Sequence, residues 1–375
     1  MAGIYIHIPF CKQRCTYCDF YTQVAPHLIP DLVDAIVKEL YFRKNYLKNA
    51  PIETVYFGGG TPSVLSFSQF DSIFKTIYKL FNVNNDAEIT FEANPDDLTP
   101  EFLTSISPLP FNRISIGIQS FDDEDLKRVN RRHSGLQAIE AVKSCQAHGF
   151  DNISVDLIYG LPSQSIEVWN KQLDTVFKLN VQHISVYGLT YEEGTRLWKQ
   201  REMGKVNVVA DDEMISMYEV LLAKMKENGF EAYEISNFSL PGYRSRHNSA
   251  YWKMNPYLGI GPSAHSFDGK SRQWNVSSNK KYINALNSGD IFFEKEELML
   301  NDSYNDYVMV SLRTTEGISL SYIQENFGTN FVNHCVLNAE KFIQSNKLKS
   351  LNNTISLTHE GIQISNLIIS ELMFV

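Results

Sequence analysis

Cys11-Lys12-Gln13-Arg14-Cys15-Thr16-Tyr17-Cys18 places three cysteines within eight residues, spaced C-x3-C-x2-C. The run before it, Gly3-Ile4-Tyr5-Ile6-His7-Ile8-Pro9, reads as a strand stopped by proline. The cysteines therefore sit on a loop just beyond a first strand, where three thiolates can wrap around one object. Iron–sulfur clusters are held by cysteine thiolates, usually four. Three ligands on a four-iron cube leave one iron open to a small molecule, as a catalytic zinc keeps one position open. A zinc knuckle is the other reading of these eight residues, with His7 or Asp19 as fourth ligand. A disulfide reading leaves an odd thiol.

The rest of the chain sets the bounds. Its 375 residues suffice for one large domain and a smaller one, and the composition is that of a soluble globular protein. No apolar run reaches the length of a membrane span. Met1-Ala2-Gly3 leads straight into the first strand, without a signal peptide. The net charge of −9 argues against a general nucleic-acid binder. Five cysteines, three of them clustered, do not make a disulfide framework. A cytoplasmic, reduced protein is expected. Cys145 and Cys335 fall in helical patterns and read as small core residues.

Strand candidates at Ile4–Ile8, Thr54–Phe57, Glu88–Glu92, Arg113–Ile118, Ser154–Ile158 and Ile184–Tyr187 alternate with amphipathic helical stretches such as Phe70-Phe74-Ile77-Leu80. Such alternation predicts an α/β fold with a parallel sheet. Six units predict a partial (β/α)6 barrel of TIM type over residues 1–235, with ligands at the C-terminal ends of the strands. A helix over 211–229 and a short strand at 231–235 close this part. Residues 236–300, rich in Gly, Pro, Ser and aromatics, read as an irregular connecting segment. Residues 301–375 read as a separate small α+β domain of winged-helix type. Helices are expected near 303–313, 319–327 and 331–346, then a hairpin turning at Asn352-Asn353 and a last helix at 359–373. That segment has four Lys/Arg against seven Asp/Glu, so no nucleic-acid role is expected.

Polar motifs fall at the strand ends. Phe57-Gly58-Gly59-Gly60-Thr61-Pro62 ends the second strand and is neither a Walker loop nor a dinucleotide fingerprint. Contiguous glycines let a backbone approach a ligand closely, though the run also serves as a tight turn. Glu92-Ala93-Asn94-Pro95 ends the third strand, Gln119-Ser120-Phe121 the fourth, with Asn130-Arg131 after it. Asp156 lies near the end of the fifth, before Tyr159-Gly160-Leu161-Pro162. Each has a bland reading as a cap or loop residue. Together they set a carboxylate or amide at successive strand ends, the ring of donors and acceptors that a ribose and an α-amino acid require.

With Tyr5-Ile6-His7-Ile8-Pro9-Phe10-Cys11 added, these motifs run in one order along nearly the whole chain. They resemble the oxygen-independent coproporphyrinogen oxidase group of radical S-adenosylmethionine (SAM) proteins. The resemblance implies a [4Fe–4S] cluster on Cys11, Cys15 and Cys18. It implies SAM held by Tyr5, Tyr17, Gly59, Gly60, Thr61, Glu92, Gln119, Arg131, Asp156 and Gly188. Two departures from the oxidase stand out. The oxidase has a further cysteine two residues after the third; Phe20 occupies that place here, after Asp19. The oxidase also has an N-terminal extension, whereas this chain starts four residues before Tyr5.

Both departures match a sister branch, the HemW heme chaperones. A second mark of that branch is Arg246-His247-Asn248-Ser249-Ala250-Tyr251-Trp252, similar to its HNxxYW heme motif. A neutral imidazole can be an axial ligand of heme iron. Tyr251 and Trp252 offer flat apolar surface to a porphyrin, and Arg244 and Arg246 could pair with its propionates. The bland reading is a surface histidine beside a core Tyr-Trp pair. On the resemblance, His247, Asn248, Tyr251 and Trp252 are expected to contact heme, and His265 is a second candidate near SAM or heme. His133, His148 and His183 read as core or solvated. The implied partners are heme, heme-acceptor proteins and a reductant such as flavodoxin or ferredoxin, with room for a homodimer. The rival expectation is the enzyme itself, removing carboxyl groups from coproporphyrinogen III propionates by radical chemistry.

Overall fold

A computed structural model describes residues 2–375 of the chain. Six strands, β1 (Ala2–Ile8), β2 (Ile52–Gly59), β3 (Val83–Ala93), β4 (Arg113–Gln119), β5 (Ile153–Tyr159) and β6 (His183–Gly188), lie parallel in chain order. They curl without closing, since β1 and β6 do not pair. Residues of one parity, such as Ile4, Ile6, Ile8, Phe57, Phe91, Ile114, Ile116, Val155 and Leu157, are fully buried in the main apolar core. The other parity is polar: Thr54, Tyr56, Glu88, Glu92, Arg113, Ser115, Asp156, His183 and Ser185. Its members bond to one another across the concave side, as in Tyr56–Glu92, Ser115–Asp156 and Ser154–His183. A sheet buried on both faces usually reads as continuous apolar runs. This alternation means that the inner side is a polar lumen rather than a packed core.

Helices cover the apolar side. Phe67–Leu80 opens on a Ser66/Gln69 capping box and buries Phe70, Ile73, Phe74 and Ile77, one face at helical spacing. Phe57 meets Phe70, Phe74 and Phe111 there at ring separations of 5.1–5.6 Å. Removing the Phe57 ring would cost roughly 3–5 kcal/mol.

The stretch expected to be irregular is instead largely ordered into the sheet. Past β6 lie β7 (Glu231–Ala232) and β8 (Asn237–Ser239); β9 (Tyr257–Ile260) joins the free edge of β1 in parallel. Strands β10 (His265–Phe267), β11 (Ser271–Asn275) and β12 (Phe293–Glu297) then extend that edge antiparallel. Strands of three to five residues give too few alternations to read. A buried polar network fixes them instead. Glu39, on helix Ile29–Phe42, accepts from the Gly261 N–H at 2.8 Å, Asn275 Nδ2 at 2.8 Å and the Tyr282 hydroxyl at 2.5 Å. Arg43 pairs with Glu39 at 3.0 Å and donates to Gln273 and Asn275. Removing one partner of such a buried pair leaves an uncompensated charge.

The C-terminal part has its own core around Tyr304, Val308, Ile323, Cys335, Ile355 and Ile368. Helices Leu300–Leu312, Leu320–Asn326 and Thr329–Gln344 pack with a hairpin, Leu348–Leu351 and Thr354–Leu357, and a third short strand, Ile318–Ser319. Asn352 and Asn353 both take positive φ at the hairpin turn, as expected of that pair. The last helix, expected as one, divides into His359–Ile362 and Ser365–Leu372. Among the described residues no helix is long and apolar enough to cross a membrane.

Candidate functional site

At the C-terminal ends of the parallel strands opens a cavity of about 420 Å³. Strands β2 to β6 all reach it, through Gly59 and Gly60, Glu92, Gly117 and Gln119, Asp156 and Gly188. The cysteine loop forms its roof, with Cys11, Cys15 and Cys18 all half-buried against it.

That loop is clamped along its length. The Cys11 N–H donates to Gln23 O at 3.1 Å, and the Thr16 N–H to Val129 O at 3.1 Å. Gln13 donates to Asn130 O at 2.9 Å, and Asn130 returns a bond to Arg14 O at 2.8 Å. Lys12 reaches the buried Asp97 at 2.5 Å. Two donors point at sulfur: Thr61 Oγ1 lies 3.4 Å from Cys11 Sγ, and Arg131 Nη1 lies 3.4 Å from Cys15 Sγ. Burial pushes the Cys11 thiol up, against the Thr61 bond and Arg131, and pushes Cys18 up to about 11. Thiols so placed ionise when a metal supplies the positive charge. No three His, Cys, Asp or Glu among the described residues close on a single metal ion. Three free thiols on one loop, two of them with donors aimed at sulfur, are a donor set that fits an iron–sulfur cluster.

Two carboxylates stand on the cavity floor. Glu92 accepts from the Tyr56 hydroxyl at 2.8 Å and the Gly59 N–H at 3.2 Å; Asp156 accepts from Ser115 at 3.3 Å. Burial raises Glu92 to about 7, with Asp156 adding to the rise, and raises Asp156 to about 6. Both therefore carry capacity for a cationic or hydroxylated ligand near neutral pH. Arg131 donates to Asn94 Oδ1 at 2.7 Å and to the Gly117 carbonyl, while its buried Nε has no partner. The glycine run is sterically required. A Cβ on Gly60 would lie 2.7 Å from Phe10 O, and Gly59, at φ +106°, would meet the His7 ring at 2.5 Å. Carboxylates, a guanidinium and bare backbone around one cavity fit a cationic amino acid with a ribose.

Of the residues expected at cluster and SAM, all but Tyr5 line this cavity. Tyr5 lies deeper in the lumen, its hydroxyl 3.0 Å from His7 Nδ1 and its ring 6.2 Å from that of Tyr56. It shares the inward parity of β1, with His7 between it and the strand end. Phe20 also lines the cavity and is 65% exposed at its mouth. Tyr187 and Leu189 line the cavity on either side of Gly188, the residue of this strand end that the motifs point to.

The HNxxYW residues are not brought to the cavity. They form helix Arg246–Trp252 beneath the other end of the barrel, against β1 and β2. His247 is buried, with Nδ1 2.7 Å from Thr54 Oγ1 and Nε2 2.9 Å from the Tyr251 hydroxyl. Its ring stacks on Tyr56 at 4.9 Å. Burial lowers it to about 3, so it is neutral, but both nitrogens are engaged. Glu88 caps the helix, accepting from the N–H groups of Arg246 and His247 at 2.9 and 3.0 Å. The Asn248 N–H is taken by Ser245 Oγ at 3.2 Å, and Trp252 Nε1 is buried without a partner. The arginines expected near propionates are occupied: Arg244 pairs with Glu316 at 2.8 Å, and Arg246 donates to Asp86 O at 2.6 Å. His265 is exposed and stacks on Trp274, outside the cavity lining. His133 and His183 are core residues, and His148 holds Ser144 O at 2.7 Å.

A family model described as the radical SAM superfamily matches residues 5–174, and one described as the HemN C-terminal domain matches 298–364. A Bacillus subtilis protein named heme chaperone HemW is 30% identical over 371 residues, covering 98% of this chain and 97% of its own. A Danio rerio protein, radical S-adenosyl methionine domain-containing protein 1, mitochondrial, is 36% identical over 265 residues, 70% of this chain and 60% of its own. The solved structure of coproporphyrinogen III oxidase (HemN) from Escherichia coli superposes with a TM-score of 0.86 over 99% of this chain and 90% of that one. Its identity of 22% makes this a likeness of fold alone.

Proposed function

The chain belongs to the radical SAM superfamily, in the family of the HemW heme chaperones, and on that footing we propose that it carries heme to acceptor proteins while holding a [4Fe–4S] cluster and SAM. The observation that carries the cofactor half is the cavity: three cysteines and the ends of five strands converge on it. Cys11, Cys15 and Cys18 would hold the cluster. Glu92, Asp156, Arg131 and the glycine run would hold SAM, with Gln119, Thr61, Tyr17 and Gly188 completing the walls. When bound, cluster and SAM together supply one-electron chemistry. The chain's own residues clamp the cysteine loop, donate to the sulfurs of Cys11 and Cys15 and bury two carboxylates on the cavity floor.

For heme, the near-complete match to a HemW protein supports the reading, as does Phe20 at the place where the oxidase resemblance requires cysteine. His247 is the proposed ligand, and it can coordinate iron only after its bond to Thr54 or to Tyr251 opens. The rival is the decarboxylating enzyme, which an intact cavity keeps in view. One experiment separates them. Anaerobically reconstituted, reduced protein receives SAM with either coproporphyrinogen III or heme; the readouts are decarboxylated product and heme passed to an apo-acceptor. Turnover of the porphyrinogen without heme transfer would replace the chaperone reading with the enzyme. An electron donor of flavodoxin or ferredoxin type, a cytoplasmic setting and a homodimer belong to the same proposal.

A further inference from the structure

Between the cavity and the motif helix lies one short chain of contacts through the lumen. The helix sits at the Gly3 and Thr54 level of β1 and β2, the cavity beyond their far ends. Five residue steps of strand, Gly3 to Ile8, separate the two levels by about 17 Å. Tyr56 spans the gap. Its hydroxyl donates to Glu92 Oε1 at 2.8 Å, on the cavity side. Its ring lies on His247, centroids 4.9 Å apart and planes 20° from parallel. His247 in turn is fixed at both nitrogens, by Thr54 and by Tyr251 of its own helix. Tyr5 flanks the stack, 6.2 Å from Tyr56 and 6.4 Å from His247.

We propose that Tyr56 is a positioning residue for Glu92 at the SAM site and that His247 holds Tyr56 in place, so that the motif helix sets the geometry of the cavity from below. This assignment rests on the SAM reading of the cavity. Two bonds aim the Glu92 carboxylate, and the Gly59 N–H is the other. With Tyr56 gone, the carboxylate keeps one bond and is free to turn about its last torsions. A carboxylate also gains ionised character from each donor it keeps. The charged and titratable groups that face Glu92 are Tyr5 of β1, Tyr56 of β2, Arg113 of β4, Asp156 of β5, Tyr187 of β6 and Tyr251 of the helix. Asp156 opposes ionisation of Glu92; Arg113 and the Tyr56 bond favour it.

The test is SAM binding to the anaerobically reconstituted, cluster-loaded protein, by equilibrium dialysis from pH 6 to 9. Wild type should gain affinity as Glu92 ionises. Tyr56→Phe keeps the stacked ring and loses only the hydroxyl, so it should fold, and its profile should move upward by about one pH unit. Thr54→Val removes one of the two bonds that hold His247 without touching the cavity and should shift the profile the same way by less. A general loss of packing would weaken binding at every pH without moving the profile. Superposed profiles for Tyr56→Phe and wild type overturn the assignment alone. A Thr54→Val profile that does not move overturns the role of His247. Cluster-loaded wild type that binds no SAM at any pH overturns the assignment together with the reading beneath it.

Discussion

His247 Nδ1 lies 2.7 Å from the hydroxyl of Thr54, at the end of the barrel opposite the cysteines. That bond makes the motif helix part of the barrel floor. His247→Ala would remove a stacked ring and leave Thr54 and the Tyr251 hydroxyl without their partner. The expected loss is roughly 2–4 kcal/mol. Urea unfolding of cluster-free protein checks it; a midpoint like that of wild type would mean that the floor does not depend on this ring.

The cluster loop gives a second expectation. Arg131 and Thr61 both donate to cysteine sulfur, and Arg131 brings a positive charge. Hydrogen bonds and charge near the sulfurs favour the reduced cluster. Arg131→Met should therefore assemble a cluster of about four irons and lower its reduction potential, with Thr61→Val lowering it less. Potentiometric titration followed by EPR measures this. Alanine at Cys11, Cys15 or Cys18 should instead abolish assembly, and a potential unmoved in Arg131→Met would remove the arginine from the account.

The buried carboxylates predict a pH dependence. Glu92 ionises near 4.3 when unfolded and at about 7 in the fold. Between those values the native state holds the extra proton, so this group's contribution to stability falls as pH rises. Buried neutral histidines with lowered values, His7 at about 4 and His133 at about 3, act the other way below pH 6.5. A difference between proteins isolates the one group. Glu92→Gln should gain on wild type steadily from about pH 4.5 to 7, by on the order of 3 kcal/mol, and hold that gain above. Unfolding midpoints at five pH values suffice. A constant offset would mean that Glu92 is not buried as described. Asp156→Asn should behave alike over a window ending near pH 6.

How much of this was legible in the sequence follows from distance along the chain. The cysteine loop reads easily because its three sulfurs lie within eight residues. The cavity reads almost as well, because each contributor ends a strand whose apolar parity is plain: Ile4-Ile6-Ile8, Ile114-Ile116-Ile118. The complementary parity carried a further signal, since Thr54-Tyr56, Glu88-Glu92 and Ser154-Asp156 announce a polar lumen. Tyr56 could have been found that way. The position of His247 could not. It depends on β9 pairing with β1 and on Glu88 capping a helix 158 residues further on. No local period encodes either contact. The order of residues 236–300 was hidden for the same reason, resting on Glu39 and Arg43 reaching Asn275 across more than 230 residues.

Coordination through His247 requires the ring to leave Thr54 or Tyr251, so heme uptake should be slow and limited by that opening. Thr54→Val frees Nδ1 and should speed the growth of the Soret band. Hydrogen exchange in 246–252 should rise on heme addition, because the Glu88 cap must loosen as the helix moves. Uptake should not need a cluster, since the three cysteines lie beyond the other end of β1. Trp252→Ala should weaken binding less than His247→Ala, since stacking adds packing and not a coordinate bond. Equal uptake rates in Thr54→Val and wild type, with an unchanged Soret band in His247→Ala, would move the ligand elsewhere. His265, exposed beside Trp274, is then the residue to replace next. His265→Ala would be expected to lose the band that His247→Ala kept.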